Sequence, residues 1–370
     1  MEDLKHSAAI LSPHPVRSGS LIGWRRCMVT APSDAVYVVA PNVPAMYELH
    51  FAMPMPGAIL NCINTRLDCR TFSVLLGHAE SMLLCSLILD AVSLFPLADH
   101  RPILVLIASD KEEEEAANGQ KGLKELSSWP EFNSMYESMV DRGDLGFQWV
   151  RPESKWTPMV LNYTSGTASS LKGVVTVVHC HRGLYMILVD SLLDWAIPKQ
   201  PIYLWTLSMF HANGWCLKWG MAAVGGTYNC LCKFDAWVVF DLIERHGVTH
   251  MCGAPMVLNM MFGGSGNRDG PLKAPVRIFT EGAPPPAAVL HRIESLDFIV
   301  SHSYCQTETA GHTMTRAWKP HWNRLPADER ARFKARRQGV RTLSFNEVDV
   351  VDPKSGIPSN GTGRPTGKLS

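Results

Sequence analysis

Several features that mark common protein classes are missing from this sequence. Lys and Arg total 35 and Asp and Glu total 34, so no excess of one charge sign points to nucleic acid or to an anionic membrane as a partner. The most apolar stretch, residues 81–97, is interrupted by Asp90 and Pro96 and is too short to span a bilayer comfortably. These absences predict a protein that binds a small molecule and has no transmembrane segment.

Cysteine pairs at metal-site spacing are also missing. The ten cysteines are scattered without repeated CxxC pairs, and we identify no signal peptide and no terminal Ser-Lys-Leu, so we expect a reduced compartment, the cytoplasm. His179, Cys180 and His181 are three ligand-type residues in a row, and zinc binding is one interpretation. The lack of a second Cys/His pair favours a structural role instead.

The residue pattern predicts a mixture of strands and helices. A chain of 370 residues with 46% hydrophobic content can bury a large core and predicts two subdomains. Runs rich in β-branched and apolar residues predict strands at 36–40, 102–108, 158–161, 174–178, 201–207 and 248–251. Apolar spacing predicts helices at 44–52, 183–195 and 241–247, the last ending at a glycine. The acidic run 112–115 predicts a solvated surface segment.

The segment YTSGTASSLKG lies between two of the predicted strands. Thr164, Ser165, Gly166 and Thr167 supply hydroxyls and main-chain amides, and Lys172 supplies a positive charge. Such a loop can wrap a polyphosphate through charge-assisted hydrogen bonds. The alternative is an ordinary Ser/Thr/Gly turn between strands. The segment is not a Walker loop, because it has no Gly-Lys-Ser/Thr triplet.

Three further strings follow downstream. Residues 209–215 read MFHANGW, residues 278–286 read IFTEGAPPP, and residues 303–309 read SYCQTET. Each also has an ordinary interpretation. Trp215 and Trp219 are typical of a core, a Gly/Pro string is typical of a turn, and Glu308 alone is typical of a solvated surface charge.

In this order, the four strings resemble the motifs of the adenylate-forming superfamily, which includes acyl-CoA synthetases, luciferases and peptide synthetases. The resemblance extends from about Ala40 to Gly361, and long stretches are similar to plant acyl-activating enzymes of the butyrate- or benzoate-CoA ligase type. It implies that the first string holds the ATP phosphates. Ala168 and Leu171 depart from the usual Thr and Pro, and neither change removes a principal phosphate ligand.

The resemblance also implies roles for the other strings. His211 and Lys172 take the catalytic positions, with His211 seating the substrate carboxylate. The adenine-binding residues are Gly282, Ala283 and Pro284. Tyr304 packs on adenine, Thr307 contacts the adenylate phosphate and Glu308 binds Mg²⁺. These assignments imply that ATP, Mg²⁺ and CoA are used with a small carboxylic acid.

Four departures from the family pattern lead to expectations about structure. Ser303 and Cys305 replace glycines, and a Cβ where glycine allows a positive φ costs about 1 to 3 kcal/mol of strain. Residues 176–178 are an insertion that flips the strand behind the loop unless a bulge absorbs it. Glu281 stands where close relatives have a small residue, so we leave it out of the site.

The implied fold is α/β. We expect the large N-terminal domain of an adenylate-forming enzyme, with two sheet-and-helix subdomains at 1–183 and 184–370, a site at their junction and no C-terminal lid. The implied function is an AMP-forming carboxylic acid–CoA ligase, impaired because the lid lysine and the ribose-binding aspartate lie beyond the resemblance. The alternatives are a non-catalytic nucleotide-binding remnant, an incomplete gene model, and a structural protein that binds no nucleotide. The sequence indicates neither the acid nor the oligomeric state.

Overall fold

The computed structural model describes residues 8–11, 35–78, 83–86, 103–107, 132–144, 146–164, 175–264, 270–316, 318–336, 339–345, 348–351 and 368–369. Its strands are β1 Ala8–Leu11, β2 Ala35–Val39, β3 Ile59–Cys62, β4 Leu83–Ser86, β5 Ile103–Leu106, β6 Phe132–Met135, β7 Pro158–Thr164, β8 Val175–Cys180, β9 Ile202–Trp205, β10 Thr227–Leu231, β11 His250–Cys252, β12 Val276–Glu281, β13 Phe298–Gln306, β14 Gly311–Thr315, β15 Val340–Arg341, β16 Val350–Val351 and β17 Lys368–Leu369. Its α-helices are α1 Pro44–Ala52, α2 Cys69–His78, α3 Tyr136–Asp141, α4 His181–Asp194, α5 Ala212–Trp215, α6 Leu217–Ala223, α7 Ala236–His246, α8 Pro255–Gly264, α9 Ala287–Glu294 and α10 Ala327–Arg336.

The strands form two large sheets with helices, which confirms the predicted α/β class. The first sheet has the order β6-β5-β4-β2-β3-β7-β8 and is parallel except for the last pair. The second has the order β1-β10-β9-β11-β12-β13-β14-β15, with a parallel centre and antiparallel edges. Strands β16 and β17 pair separately. The proposed boundary between residues 183 and 184 stays a prediction.

One hydrophobic core joins side chains from both halves of the chain. Val38 and Leu60 of the first sheet belong to the same buried cluster as Tyr203, Trp205 and Phe279 of the second. A second cluster lies between the second sheet and helices α7, α8 and α9. Because this buried cluster contains side chains from both sheets, the two sheets pack against each other. Segments from both sheets can therefore contribute to one site.

The predicted helix near residues 241–247 starts earlier than expected. Helix α7 begins at Ala236, because the carboxylate of Asp235 accepts hydrogen bonds from the main-chain amides of Trp237 and Val238 at 2.8 and 3.1 Å. The predicted start at residue 241 was therefore wrong. The predicted glycine end is confirmed, since Gly247 has a φ of 63° at the C-cap.

Four other predicted elements are present in the structure. Helix α1 spans the predicted residues 44–52, and the predicted strands at 36–40, 102–108 and 201–207 correspond to β2, β5 and β9. The acidic run 112–115 lies outside the described residues. No helix within the described ranges has both the length and the apolar character that crossing a membrane requires.

Candidate nucleotide and acid site

The segment YTSGTASSLKG, residues 163–173, is called the phosphate loop below after its predicted role. The two strands on either side of it are antiparallel neighbours. Thr164 at the end of β7 pairs with Val175 at the start of β8, so the two ends of the loop lie side by side. Four of the predicted phosphate ligands lie outside the described residues: Ser165, Gly166, Thr167 and Lys172. Their role therefore stays a prediction, supported by the hairpin-like frame on either side.

A register shift interrupts the pairing of β7 and β8 near the predicted insertion. Pro158 pairs with Cys180 and Val160 pairs with His179, which leaves Met159 as an extra residue on β7. The inserted residues 176–178 pair without interruption with Tyr163, Asn162 and Leu161, so the bulge lies beyond them and on the partner strand. His179 is buried.

His179 connects the first sheet to the fourth motif string. Its Nε2 donates a hydrogen bond to the carbonyl oxygen of Thr307 at 2.8 Å. Burial lowers the pKa of His179, so at pH 7 the imidazole is neutral and carries its proton on the donating Nε2. The strand after the phosphate loop is thereby attached to the segment that contains Glu308.

Among the described residues, no three His, Cys, Asp or Glu side chains gather in a geometry suited to a metal ion.

The predicted adenine segment follows directly on strand β12. Gly282 has a φ of 92°, which costs glycine little because it lacks a Cβ. A Cβ at this position would meet no heavy atom within 4 Å. Gly282, Ala283 and Pro284 are all exposed. The segment therefore presents an open main-chain surface that a flat ring can approach closely.

Tyr304 lies at the same edge of the second sheet. Strands β12 and β13 are parallel, and Glu281 pairs with Ser303, so the residues that follow both strands meet at their carboxyl ends. This edge is where open α/β sheets bind ligands. The hydroxyl of Tyr304 accepts a hydrogen bond from Nε2 of Gln306 at 2.9 Å, and its ring is half-buried. The strand register therefore places Tyr304 at the same sheet edge as the adenine segment.

A short 3₁₀ turn, Thr307–Thr309, places the predicted metal ligand. The main-chain amide of Gln306 donates to Oγ1 of Thr309 at 3.3 Å and closes the turn. Thr307 is half-buried and Glu308 is exposed. Mg²⁺ keeps several water ligands and takes one or two carboxylates, and an exposed carboxylate is accessible to such an ion. The assignment of Glu308 as its ligand stays a prediction.

The strain expected at Ser303 and Cys305 is absent. Both residues lie within strand β13, and neither has a positive φ. The hydroxyl of Ser303 hydrogen-bonds to Oγ1 of Thr315 at 2.7 Å and accepts from Nε1 of Trp195 at 3.3 Å. The expectation was wrong because this segment is an extended strand, where a Cβ is compatible with the backbone.

His211 is the residue immediately before helix α5. Its side chain is exposed, yet desolvation by the surrounding protein lowers its pKa. The lowered pKa keeps the imidazole neutral at pH 7. A neutral imidazole donates one hydrogen bond, which suits a carboxylate oxygen.

Two residues that the sequence did not single out hold the His211 segment. The carbonyl Oδ1 of Asn42 accepts from the main-chain amide of Met209 at 2.8 Å, and Nδ2 of Asn42 donates to the carbonyl of Leu207 at 2.9 Å. Lys218 donates from Nζ to the carbonyl of Met209 at 3.0 Å. A single lysine within the apolar string WCLKWGM was the available signal for Lys218.

The residue that follows the string MFHANGW contacts the residue that follows the string SYCQTET. The Sγ of Cys216 lies 3.6 Å from the carbonyl oxygen of Ala310, which follows the turn that carries Glu308. Trp215 and Trp219 are buried in the core, and Nε1 of Trp219 donates to the carbonyl of His50 at 3.2 Å. The strings downstream of the phosphate loop, together with the strand that follows that loop, therefore meet between the two sheets.

A buried carboxylate lies immediately beneath the adenine segment. Oε1 of Glu281 lies 3.9 Å from Nδ1 of His312, and Nε2 of His312 lies 3.3 Å from Oδ2 of Asp194. Trp195 stacks on His312 at 4.7 Å. Burial raises the pKa of Glu281 to about 7, while His312 and the thiol of Cys305 favour its ionised form. The resemblance shows only that Glu281 stands where close relatives have a small residue. Its burial beside His312 is seen only in the structure.

Solved structures of acyl-CoA ligases share the fold. A benzoate CoA ligase from Burkholderia xenovorans superposes with a TM-score of 0.74 at 14% identity, covering 95% of this chain and 64% of that chain. The N-terminal domain of FACL13 from Mycobacterium tuberculosis gives a TM-score of 0.69 at 20% identity, covering 94% and 78%. At these identities the similarity establishes the fold alone.

Plant proteins are similar in sequence over most of the chain. Probable acyl-activating enzyme 6 of Arabidopsis thaliana is 53% identical over 95% of this chain and 65% of its own length. A 2-methylpropanoate–CoA ligase of Humulus lupulus is 54% identical over 93% of this chain and 62% of its own length. The chain thus spans less than two thirds of these relatives. A family model described as AMP-binding enzyme matches residues 29–369. With most of its length matched in this way, the chain belongs to the AMP-binding enzyme family.

Proposed function

We propose that this chain is the nucleotide- and acid-binding part of an AMP-forming carboxylic acid–CoA ligase. The observation that carries the proposal is the meeting of segments from both sheets at one place. His179 bonds to Thr307, Glu281 pairs with Ser303, and Cys216 contacts Ala310. The names of the plant relatives, acyl-activating enzyme and CoA ligase, support the same reaction class.

The reaction has two steps. An oxygen of the acid carboxylate attacks the α-phosphorus of ATP, forming an acyl-adenylate and releasing pyrophosphate. The sulfur of CoA then attacks the acyl carbon, and AMP leaves with the electron pair of the broken C–O bond. The thiol proton is lost to solvent or to a base.

The main-chain surface at Gly282, Ala283 and Pro284 and the ring of Tyr304 would bind adenine. This assignment fits the structure, because these residues are accessible and adjacent at one sheet edge. Thr307 would contact the α-phosphate. The assigned residues orient the nucleotide before chemistry begins, and orientation contributes a large part of catalysis of this kind.

Charge stabilisation would come from the phosphate loop and from the exposed carboxylate. Lys172 would neutralise phosphate charge, and Glu308 would hold Mg²⁺, whose bound form neutralises negative charge on the phosphates. The single imidazole N–H of His211 would donate a hydrogen bond to the acid carboxylate and fix its orientation. Each of these groups acts by position and charge, without a covalent bond to the substrate.

Magnesium-dependent ATP binding to the purified chain, measured by calorimetry, tests the proposal. Lys172→Ala is expected to weaken binding by tenfold or more, since a charge-assisted hydrogen bond contributes about 1.5 to 3 kcal/mol. Lys199→Ala, at an exposed lysine outside the motifs, is the matched control and should bind as the parent does. Absence of ATP binding in a folded sample would refute the proposal and favour a structural protein.

Adenylation is tested separately by acid-dependent release of pyrophosphate. The first acids to use are 2-methylpropanoate and benzoate, because proteins named for them are similar to this chain in sequence or in fold. Release that requires both acid and Mg²⁺ supports the ligase half-reaction. ATP binding without any acid-dependent release favours the non-catalytic nucleotide-binding alternative.

The cytoplasmic location stays part of the proposal. A relative that is 54% identical is named probable acyl-activating enzyme 5, peroxisomal. Fluorescent fusions at either terminus of the chain, imaged with a peroxisomal marker, distinguish the two compartments.

A further inference from the structure

A groove lies at the opposite end of the second sheet from the candidate site. It is lined by the first residues of β12 and β13, the end of β14 and helix α10. Arg277 in this groove precedes Gly282 by five positions along one extended strand, a separation of about 16 Å. The groove has a volume of about 790 Å³, within the range of small-molecule sites.

The groove carries more positive charge than the chain as a whole. Five cationic side chains line it: Arg277, Arg316, Arg330, Lys334 and Arg341. Three carboxylates line it: Asp194, Glu294 and Asp297. Five cations minus three carboxylates leave a net charge of +2 in the groove, whereas the whole chain has +1. This local excess favours an anionic ligand.

Two of the arginines are oriented by main-chain carbonyls. Nη1 of Arg330 donates to the carbonyl of Asn323 at 3.3 Å, and Nη1 of Arg341 donates to the carbonyl of Phe345 at 2.7 Å. A carbonyl carries no net charge, so it fixes the direction of a guanidinium without neutralising it. Both side chains therefore retain positive charge at defined positions.

A third arginine lies deeper in the groove. Arg316 is half-buried and donates to the carbonyl of Lys334, while the ammonium of Lys334 forms an ion pair with Glu294. Burial lowers the pKa of Arg316 to about 10, against the opposing effect of Glu294, so Arg316 stays protonated at pH 7. A partly dehydrated cation interacts with an anion more strongly than one in bulk water.

An aromatic wall completes the groove. Nε1 of Trp318 donates to Oδ1 of Asn323 at 2.8 Å, and the Trp318 ring meets Trp322 edge-on at 5.2 Å. These contacts fix the ring of Trp318 beside the cations. A ligand with a carbon framework can pack on this wall while its anionic groups contact arginine.

We propose that the groove binds a small phosphorylated molecule that carries at least two negative charges. Its phosphate oxygens contact Arg330 and Arg341, because the planar guanidinium matches phosphate geometry with paired hydrogen bonds. Its carbon framework packs on Trp318. The concave shape suits a free small molecule, and the site is separate from the proposed nucleotide site.

Calorimetry with inorganic pyrophosphate tests the anionic part of this site. The parent for the test is the full chain with Lys172→Ala, which weakens the competing phosphate loop. Arg330→Gln and Arg341→Gln are each expected to weaken binding about tenfold. Arg292→Gln is the control, because Arg292 is exposed on α9 and does not line the groove. Circular dichroism confirms that each variant is folded, and Arg341 is itself exposed, so its replacement leaves the interior unchanged.

Two results would overturn the inference. One is the absence of pyrophosphate binding in the Lys172→Ala parent at low ionic strength. The other is binding that Arg330→Gln and Arg341→Gln leave as strong as in the Arg292→Gln control. Neither result bears on ATP binding by the chain with an intact Lys172, so this test is independent of the proposed function.

Discussion

The ammonium group of Lys218 donates a hydrogen bond to the main-chain carbonyl of Met209 over 3.0 Å. Lys218 lies on helix α6 with its side chain fully buried, and Met209 precedes His211 by two residues. The bond ties α6 to the segment that presents His211. Burial lowers the pKa of Lys218 to about 7, so the folded chain pays a free-energy penalty when this group is charged.

The lowered pKa of Lys218 should make the free energy of unfolding depend on pH. Its pKa falls from 10.5 in the unfolded chain to about 7 in the folded chain, so between these values the unfolded chain binds more protons. The contribution of Lys218 to the free energy of unfolding therefore rises with pH by about 1.4 kcal/mol per unit in this window. Lys218→Met should remove the rise, as measured by urea denaturation at pH 7, 8 and 9. An unchanged slope in Lys218→Met, or the same loss in the exposed control Lys199→Met, would contradict the assignment.

The contribution of Glu281 to the free energy of unfolding should fall as pH rises, and it should do so at lower pH than the rise from Lys218. Its pKa rises from 4.5 to about 7 on folding, so the folded chain holds a proton that the unfolded chain releases. The contribution of Glu281 to stability is full below 4.5 and is lost as pH rises through 7. Glu281→Gln cannot ionise, so its stability relative to the parent should increase by about 2 kcal/mol between pH 5 and pH 8. His312, Asp194 and Cys305 remain as the surrounding titratable groups in both proteins. A stability difference that is the same at both pH values would exclude this role.

Gly214→Ala should destabilise the fold. Gly214 has a φ of 56°, and a Cβ there would lie 2.8 Å from Cζ3 of the buried Trp205. Strain and overpacking together should cost about 1 to 3 kcal/mol, measured as a lower Tm. Gly263→Ala is the matched control, because a Cβ at Gly263 in helix α8 meets nothing within 4 Å. Equal Tm changes in the two variants would show that the close approach at Trp205 is unimportant.

Two substitutions at Tyr304 separate its ring from its hydroxyl. The hydroxyl bonds to Gln306, so Tyr304→Phe should leave ATP affinity nearly unchanged. Tyr304→Ala removes the ring proposed to pack on adenine and should weaken ATP binding about tenfold, since stacking of a base on an aromatic side chain contributes about 1 to 3 kcal/mol. Calorimetry on both variants gives the comparison. If Tyr304→Ala binds as tightly as Tyr304→Phe, the ring does not contact the base.

Elements with strong local signals could be predicted from sequence. Helix α1 and strands β2, β5 and β9 have apolar runs bounded by Pro or polar residues, and the structure has them within one or two residues of the expected bounds. The start of α7 was misplaced because the run after Asp235 reads AWVVF, which is rich in β-formers, whereas Asp235 supplies the cap that starts a helix. Short-range propensity and capping gave opposite indications there.

The environment of the site could not be predicted in the same way. Asn42 and Met209 are joined by a hydrogen bond although they are 167 positions apart, and Glu281 is buried against His312 from another strand. The first contact depends on how the two halves of the chain pack, and the second depends on the order of strands within the second sheet. The resemblance placed Tyr304, Thr307 and Glu308 in one segment, and the structure adds that His179 of the first sheet holds this segment.

Strand β1 has a consequence for the order in which the chain acquires structure. Ala8 pairs with Leu231 at the edge of the second sheet, a separation of 223 positions, while strands β2 to β8 of the first sheet lie between them in sequence. During synthesis on the ribosome, β1 emerges first but has no partner until β10 has been translated. The first sheet can form earlier from strands that are already available. Closure of so long a loop is slow, so the pairing of β1 should be among the last events of folding and should lag behind formation of the first sheet.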